Sequence, residues 1–290
     1  MALTLGSIGL SGCAAQHTPP GVIAVVGAEA QYGDLLSQIG GRYVQVTSFM
    51  TSPSTDPHNF EASPSVARTI SSAQLIVQNG AGYDVFMNKL ESATSNPSRV
   101  VLVVAALLDE RSAANPHFWY APTTMPLVAE HVANSLEKIA PRHAEYFRAK
   151  LAEFVSSWRP VTSAIQTARR DFAGQPVAST EPVGDYLFTA MGLSNLTPFR
   201  FQADVMNGID PAPEDIVIQQ DLIVHHRVAA LAYNAQVSSP VTQALSNLAL
   251  QDHVATVPID EILPAHLHVQ SWMLSTIAAL EEPLKMGGGA

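Results

Sequence analysis

Downstream of position 13 this chain contains no cysteine, because Cys13 is the only thiol among its 290 residues. That excludes disulfides from the folded body and rules out metal sites built on thiolates. Basic residues are scarce too, with 15 Lys+Arg against 25 Asp+Glu and a net charge of -10. A surface of that sign argues against nucleic acid or an anionic membrane face as a partner, and is compatible with attracting cations. Beyond the amino-terminal segment no apolar run approaches the ~20 residues that a spanning helix needs. There is no catalytic triad signature, no glycine-rich phosphate loop, no HExxH helix and no short-period repeat. What remains is a globular composition, 47% hydrophobic, over a length that suits one large domain or two ordinary ones.

Strand and helix patterns alternate along the chain. Residues 22–26 form an apolar run bounded by glycine, as expected for a parallel strand buried on both faces. A helical pattern follows from Glu29 to Ile39 and stops at Gly40-Gly41, and residues 43–50 read as a second strand. Ser63-Pro64-Ser65 opens the next helix, with serine as cap and proline at the first helical position. Residues 75–80 and 100–104 read as further strands around a helix over 83–93, and an amphipathic helix covers 125–139. A helical pattern then runs over 142–172, roughly 45 Å at ~1.5 Å per residue, with Pro160 expected to bend or break it. It reads either as a spine between lobes or as two successive surface helices meeting at Pro160. Afterwards the alternation resumes, with strands over 176–180, 229–233 and 254–259 and helices over 184–191, 239–250 and 268–284. The pattern predicts an α/β fold of two lobes, each a parallel sheet flanked by helices.

Four side chains follow predicted strands, two in each half. They are His58 in Asp56-Pro57-His58-Asn59-Phe60-Glu61, His117 in Asn115-Pro116-His117-Phe118-Trp119-Tyr120, Glu181 in Thr180-Glu181-Pro182, and Glu261 in Asp260-Glu261-Ile262-Leu263-Pro264. Open α/β sheets hold ligands at the carboxyl edges of their strands. If both sheets direct those edges at a shared cleft, two neutral imidazoles and two carboxylates converge, a set that neutralises one dication. Nitrogen and oxygen donors without sulfur suit manganese, zinc or iron(II), and do not choose among them. Singly, each histidine also reads as an ordinary loop residue behind a turn-forming proline. His225 and His226 read as helix-end residues, and either His266 or His268 is a rival ligand near the acidic pair. Phe118, Trp119 and Tyr120 read as packing that holds His117 rigid.

Taken in order with Asn79-Gly80-Ala81-Gly82-Tyr83, Tyr233-Asn234-Ala235-Gln236 and Trp272-Met273, these segments resemble the metal-binding substrate-binding proteins of bacterial ABC importers. The resemblance to these zinc and manganese receptors spans residues 22 to 284. It implies two α/β lobes joined by one long helix, with metal held between them by one residue from each of four loops. His58 and His117 become the ligands of the amino-terminal lobe, Glu181 the third ligand and the acidic pair the fourth. Alignment on Leu263-Pro264 favours Glu261 over Asp260. Zinc receptors often have histidine at the third position and a His-rich loop, whereas this chain has glutamate there and no histidine between His58 and His117. The glutamate leans toward manganese, and the missing loop weakens a zinc assignment without excluding it. Ala121-Pro122 occupies a place where the family often has Asp-Pro, which predicts a missing hydrogen bond near His117.

Cys13 closes Leu10-Ser11-Gly12-Cys13 behind an uncharged apolar run, the shape of a secretory signal. Its ending resembles the lipobox of bacterial lipoproteins, in which the cysteine becomes the lipidated first residue. The expected organisation is a signal segment over 1–13, a spacer over 14–21, an amino-terminal lobe over 22–141, a connecting helix over 142–172 and a carboxy-terminal lobe over 173–290. The resemblance implies a monomeric extracytoplasmic receptor, periplasmic or at the cell surface and lipid-anchored to a bacterial membrane. Such a receptor captures manganese, zinc or iron, delivers it to an ABC permease, and is not an enzyme. The alternatives are a metalloenzyme with a two-His, two-carboxylate site and an adhesin-like relative that no longer transports metal. Four protein ligands would leave no open position for water or substrate, which weighs against the metalloenzyme.

Overall fold

The computed structural model describes residues 21–52, 63–94 and 96–287. Cys13, the signal segment and His58 lie outside the described residues. The first half holds β1 (Ile23–Glu29), α1 (Ala30–Gly40), β2 (Val44–Met50), α2 (Pro64–Ser72), β3 (Leu75–Gln78), α3 (Val85–Ala93), β4 (Val100–Val103), α4 (Val104–Leu107) and α5 (Thr124–Ile139). The long α6 (Ala144–Phe172) leads into the second half: β5 (Pro176–Ser179), α7 (Asp185–Met191), β6 (Ser194–Asn195), α8 (Phe199–Met206), α9 (Pro213–Val224), β7 (Ala230–Asn234), α10 (Pro240–Gln251), β8 (Ala255–Ile259) and α11 (Val269–Gly287).

Each half builds one all-parallel four-stranded sheet, ordered β2-β1-β3-β4 and β6-β5-β7-β8. The two orders are equivalent, so the second half repeats the winding of the first. In both, the chain moves outward from a central strand to one side and then crosses to the other. The switch points therefore fall between β1 and β3 and between β5 and β7, where open sheets leave a crevice at their carboxyl edges.

Local sequence accounts for these elements. The apolar run of β1 is buried almost throughout, as both faces carry helices. Gly27 lets α1 lie directly on that strand, since a Cβ there would stand 2.4 Å from the Gly33 backbone nitrogen. Pro64 opens α2 in its first turn behind Ser63, but the Ser63 hydroxyl pairs with Ser65 at 2.6 Å instead of capping an amide. Ser239 and Thr242 form a reciprocal capping box at the start of α10.

Helix α6 runs through Pro160 without interruption. Proline removes one N–H from the ladder, yet Pro160 and Ser156, whose carbonyl loses its partner, are both exposed residues on the solvent face of the helix. On the opposite face Trp158 and Val161 are buried, and the Trp158 indole donates to the Pro122 carbonyl at 3.0 Å. Tertiary packing on both sides of the proline holds the helix together. The halves are also fastened by α11, which packs on α6 and α1. Gln270 exchanges hydrogen bonds of 3.0 and 2.8 Å with Gln38 and donates to Ser157 at 2.9 Å. Three short elements, α4, β6 and α8, are absent from the sequence reading.

Candidate metal centre

His117 and Glu261 meet between the sheets. His117 sits in the loop that follows β4 and α4, Glu261 follows β8 by two residues, and both are fully buried. The imidazole Nε2 lies 3.6 Å from Glu261 Oε2. The orientation of the ring can be read from its other nitrogen. Asn115 donates its side-chain amide to the Pro182 carbonyl at 2.8 Å, so its Oδ1 faces His117, 2.7 Å from Nδ1 and 3.1 Å from the backbone nitrogen. An acceptor at that distance calls for a proton on Nδ1, which leaves the Nε2 lone pair directed at the carboxylate.

The surrounding rings confine the imidazole. Trp119 and Tyr83 stand edge-on to it, with centroids 5.4 and 5.7 Å away. Phe118, Trp119 and Tyr120 are all buried, and the Tyr120 hydroxyl donates to the Asp260 carbonyl at 2.7 Å. The aromatic run thus works as packing, and it also ties the His117 loop to the acidic pair. The hydrogen bond expected to be missing near His117 is supplied after all, by Asn115 two residues before the histidine. The reading from Ala121-Pro122 is corrected in that respect.

Glu261 is gripped from three directions. Tyr83 donates its hydroxyl to Oε2 at 2.8 Å, and the Asn234 side-chain amide donates to Oε1. Gln236 Oε1 accepts the backbone N–H of Glu261 at 2.6 Å and of Ile262 at 3.1 Å. Burial pushes the Tyr83 hydroxyl well above the ordinary tyrosine value, with the Glu261 charge adding to it, so the tyrosine keeps its proton as a donor. Asp260 is only half-buried and its carboxyl is raised by burial. Of the two acids, Glu261 is the one facing His117.

Glu181 follows β5 by two residues and is buried. Its loop adjoins that of His117: Asn115 bonds Pro182, and the Tyr186 hydroxyl donates to the Asn115 carbonyl at 2.9 Å. Gln202 donates to the Glu181 carbonyl at 3.2 Å and to both oxygens of Asp185. The Asp185 carboxyl is raised by burial, while hydrogen bonds from Asn195 and Gln202 oppose that shift. Among the described residues no three His, Cys, Asp or Glu side chains group closely enough to hold an ion. The structure therefore unites His117 with Glu261, places the Glu181 loop against them, and leaves His58 outside what it describes. Of the two rival histidines, His268 is exposed and engages Asp34 of α1 at 2.6 Å; His225, read as a helix-end residue, follows α9 directly and pairs with Asp221 at 3.1 Å.

Comparison with known proteins bears on the whole chain. The family described as "Zinc-uptake complex component A periplasmic" matches residues 25–282. The chain belongs to this family. Its members are metal-binding substrate-binding proteins of ABC transporters. Among curated relatives of the family, the manganese-binding lipoprotein MntA of Bacillus subtilis is 24% identical over 163 residues, covering 53% of each chain. The iron-binding protein YfeA of Yersinia pestis is 20% identical over 259 residues, covering 84% of this chain and 82% of its own. The chain spans only 53% and 59% of the first two curated relatives it matches. A crystal structure of ZnuA superposes with a TM-score of 0.74 at 18% identity, covering 91% of this chain and 98% of that one. At that identity the likeness establishes the fold of two helix-flanked parallel sheets joined by a long helix.

Several residues around the His117–Glu261 pair escaped the reading of ligands. Asn115, Asn234 and Gln236 lie inside motifs that carried the resemblance, but their roles are visible only once the loops are assembled. Glu29 and Asp84, both buried carboxyls close to the centre, were not singled out. The available signal for Glu29 was a lone acid closing an otherwise apolar strand.

Proposed function

We propose that this chain is an extracytoplasmic receptor that captures a divalent transition metal between its two sheet edges and delivers it to an ABC permease. The observation that carries the reading is the facing pair His117 Nε2 and Glu261 Oε2, 3.6 Å apart and both presenting lone pairs. An ion about 2.1–2.2 Å from each donor would subtend roughly 110–120° there, an angle suited to coordination by nitrogen and oxygen. Each donor is already oriented by its own partner, Asn115 for the imidazole and Tyr83 with Asn234 for the carboxylate, an outer shell typical of metal ligands.

His58 and Glu181 complete the set in this proposal, giving two imidazoles and two carboxylates that neutralise the bound dication. The cargo is manganese or zinc, with iron as a third member of the class. Glutamate at position 181 and the absence of a His-rich loop favour manganese, and the relatives named for manganese and iron fit the same donor chemistry. Lobes over 22–141 and 173–290 flank a connector over 142–172, the protein acts as a monomer, and Cys13 carries a lipid anchor. Cys13→Ser should then move the protein from the membrane fraction to the soluble one.

The deciding experiment is elemental analysis of protein purified without added metal, followed by thermal denaturation of metal-free protein with Mn²⁺, Zn²⁺ or Fe²⁺. One equivalent of metal and a saturable rise in Tm are expected. Absence of both, or metal-dependent hydrolytic turnover, would overturn the proposal.

A further inference from the structure

We propose that Asp34 is a positioning residue of the metal centre: from α1 it caps the first turn of α11, and with Gln31 on the same helix face it fastens the segment carrying Glu261 to the first half of the molecule, so that the acid is set against His117. The positioning role rests on the metal-capture reading, whereas the fastening of the segment does not.

Helix α11 starts without a cap of its own. The Trp272 N–H donates to the His268 carbonyl at 3.0 Å, which makes His268 the residue before the first turn, and its side chain has no oxygen to accept a free amide there. Asp34 supplies the acceptor. The Val269 N–H donates to its Oδ2 at 2.9 Å, and its Oδ1 lies 2.6 Å from His268 Nδ1. Gln38, one turn further along α1, donates its amide to the same Oδ2 at 2.7 Å. A carboxylate at the amino end of a helix also meets the positive end of the dipole. Only 11% of the Asp34 side chain is exposed, so water competes little for these bonds.

The fastening continues back to the ligand. Gln31 stands three residues before Asp34 and therefore on the same face of α1; it is fully buried and donates to the Glu261 carbonyl at 3.4 Å. Tyr120 donates to the carbonyl of Asp260 at 2.7 Å. Between these anchored ends the chain turns, with the Leu267 N–H on the Pro264 carbonyl at 3.3 Å and His266 at φ 69°. Ile262, Leu263 and Val269 are buried. The segment follows β8 of the second sheet, yet Gln31, Asp34 and Tyr120 all belong to the first half of the chain. Helix α1 is itself seated on β1 at Gly27, so the groups that hold the segment are fixed to the first sheet. Releasing Val269 therefore loosens the backbone that places Glu261 Oε2 3.6 Å from His117 Nε2.

The sequence carries the pattern. Gln31, Asp34 and Gln38 recur at the spacing of one helix face, on a helix whose Tyr32, Leu35, Leu36 and Ile39 are buried in the core. A polar stripe beside an apolar one needs a polar partner, and the segment from Glu261 to Gln270 is that partner.

The test uses the full chain and the variants Asp34→Ala and Asp34→Asn, assayed well below their unfolding transitions with Mn²⁺ and Zn²⁺ as probes. Alanine is a strong helix former, so Asp34→Ala should fold. It leaves the Val269 amide uncapped and should weaken metal binding by about 5–30-fold, the range for a residue that acts through another. Asparagine keeps an acceptor for that amide and should bind each metal within about twofold of the wild type. A role in folding alone would lower the denaturation midpoint of Asp34→Ala and leave the affinity of the folded protein unchanged. Hydrogen exchange of metal-free protein, followed by mass spectrometry, reads the fastening itself. Peptides over 260–270 should exchange about fivefold faster or more in Asp34→Ala, and close to the wild-type rate in Asp34→Asn.

Wild-type affinity in folded Asp34→Ala would overturn the positioning role, and equal losses in both variants would overturn the cap as its means. Unchanged exchange over 260–270 would overturn the fastening. If the wild type bound neither metal, the functional reading would fail, and the exchange series would still decide whether Asp34 holds the segment.

Discussion

Replacing Glu261 by glutamine tests the metal centre with the least disturbance to the fold. The side chain keeps its volume, and the change removes a fully buried charge whose two oxygens now accept from Tyr83 and Asn234. In metal-free protein the lost charge-assisted hydrogen bonds cost about 1–3 kcal/mol. Relief of burying a carboxylate opposes that cost, so the metal-free stability should change by no more than about 2 kcal/mol. The loaded state behaves differently. At a free metal concentration 1,000 times Kd, binding stabilises the wild type by about 4 kcal/mol, which at about 2–4 °C per kcal/mol corresponds to a Tm increase of roughly 8–16 °C. Without the anionic donor, a loss of about 1,000-fold in affinity brings the same metal concentration down to Kd. The stabilisation then falls to about 0.4 kcal/mol, or a shift of roughly 1–2 °C. Differential scanning calorimetry with and without Mn²⁺ measures both quantities, and Asp260→Asn, which should keep the full shift, is the control. A Glu261→Gln protein that retained more than half the wild-type shift would refute the geometry drawn from the facing pair.

Asn115→Ala frees the His117 ring to rotate and to change tautomer, so Mn²⁺ affinity measured by titration calorimetry should fall by about 10–100-fold; unchanged affinity would show that the imidazole needs no orienting partner. Pro160→Ala restores a donor to the ladder of α6 at an exposed site. The helix gain of about 3 kcal/mol is offset by a more flexible unfolded chain, so denaturant unfolding should show a net gain of about 1–2 kcal/mol, and a loss would mean that the proline is structurally required. Gly27→Ala forces a Cβ to within 2.4 Å of Gly33 nitrogen, a backbone atom that cannot yield. It should cost about 3 kcal/mol or more, and a loss below 1 kcal/mol in the same assay would contradict the close seating of α1 on β1.

Much of this architecture was legible in the residues because its signals are local. Unbroken apolar runs such as those of β1 and β3 mark strands covered on both faces, and the apolar periodicity of α5 and α6 needs no partner to be seen. Pro160 shows where local rules stop, since proline chemistry argues for a break and the buried neighbours Trp158 and Val161 prevent one. The candidate site divides the same way. A histidine behind a proline and an acid two residues past a strand are visible in a line of text, because each is a fixed distance from its own element. Their partners are not.

By itself, then, the order of residues determined the alternation of elements, the absence of disulfides and the identity of the donors available to a metal. Tertiary structure alone decided that Asn115 orients the imidazole, and that Tyr83 and Asn234, 151 positions apart, close on one carboxylate. Such contacts depend on how two parallel sheets place their carboxyl edges against each other, and no interaction within a single segment encodes that distance. Hydrogen bonds and charge are effective over a few ångströms of space, so their partners emerge only after the fold has brought distant segments together.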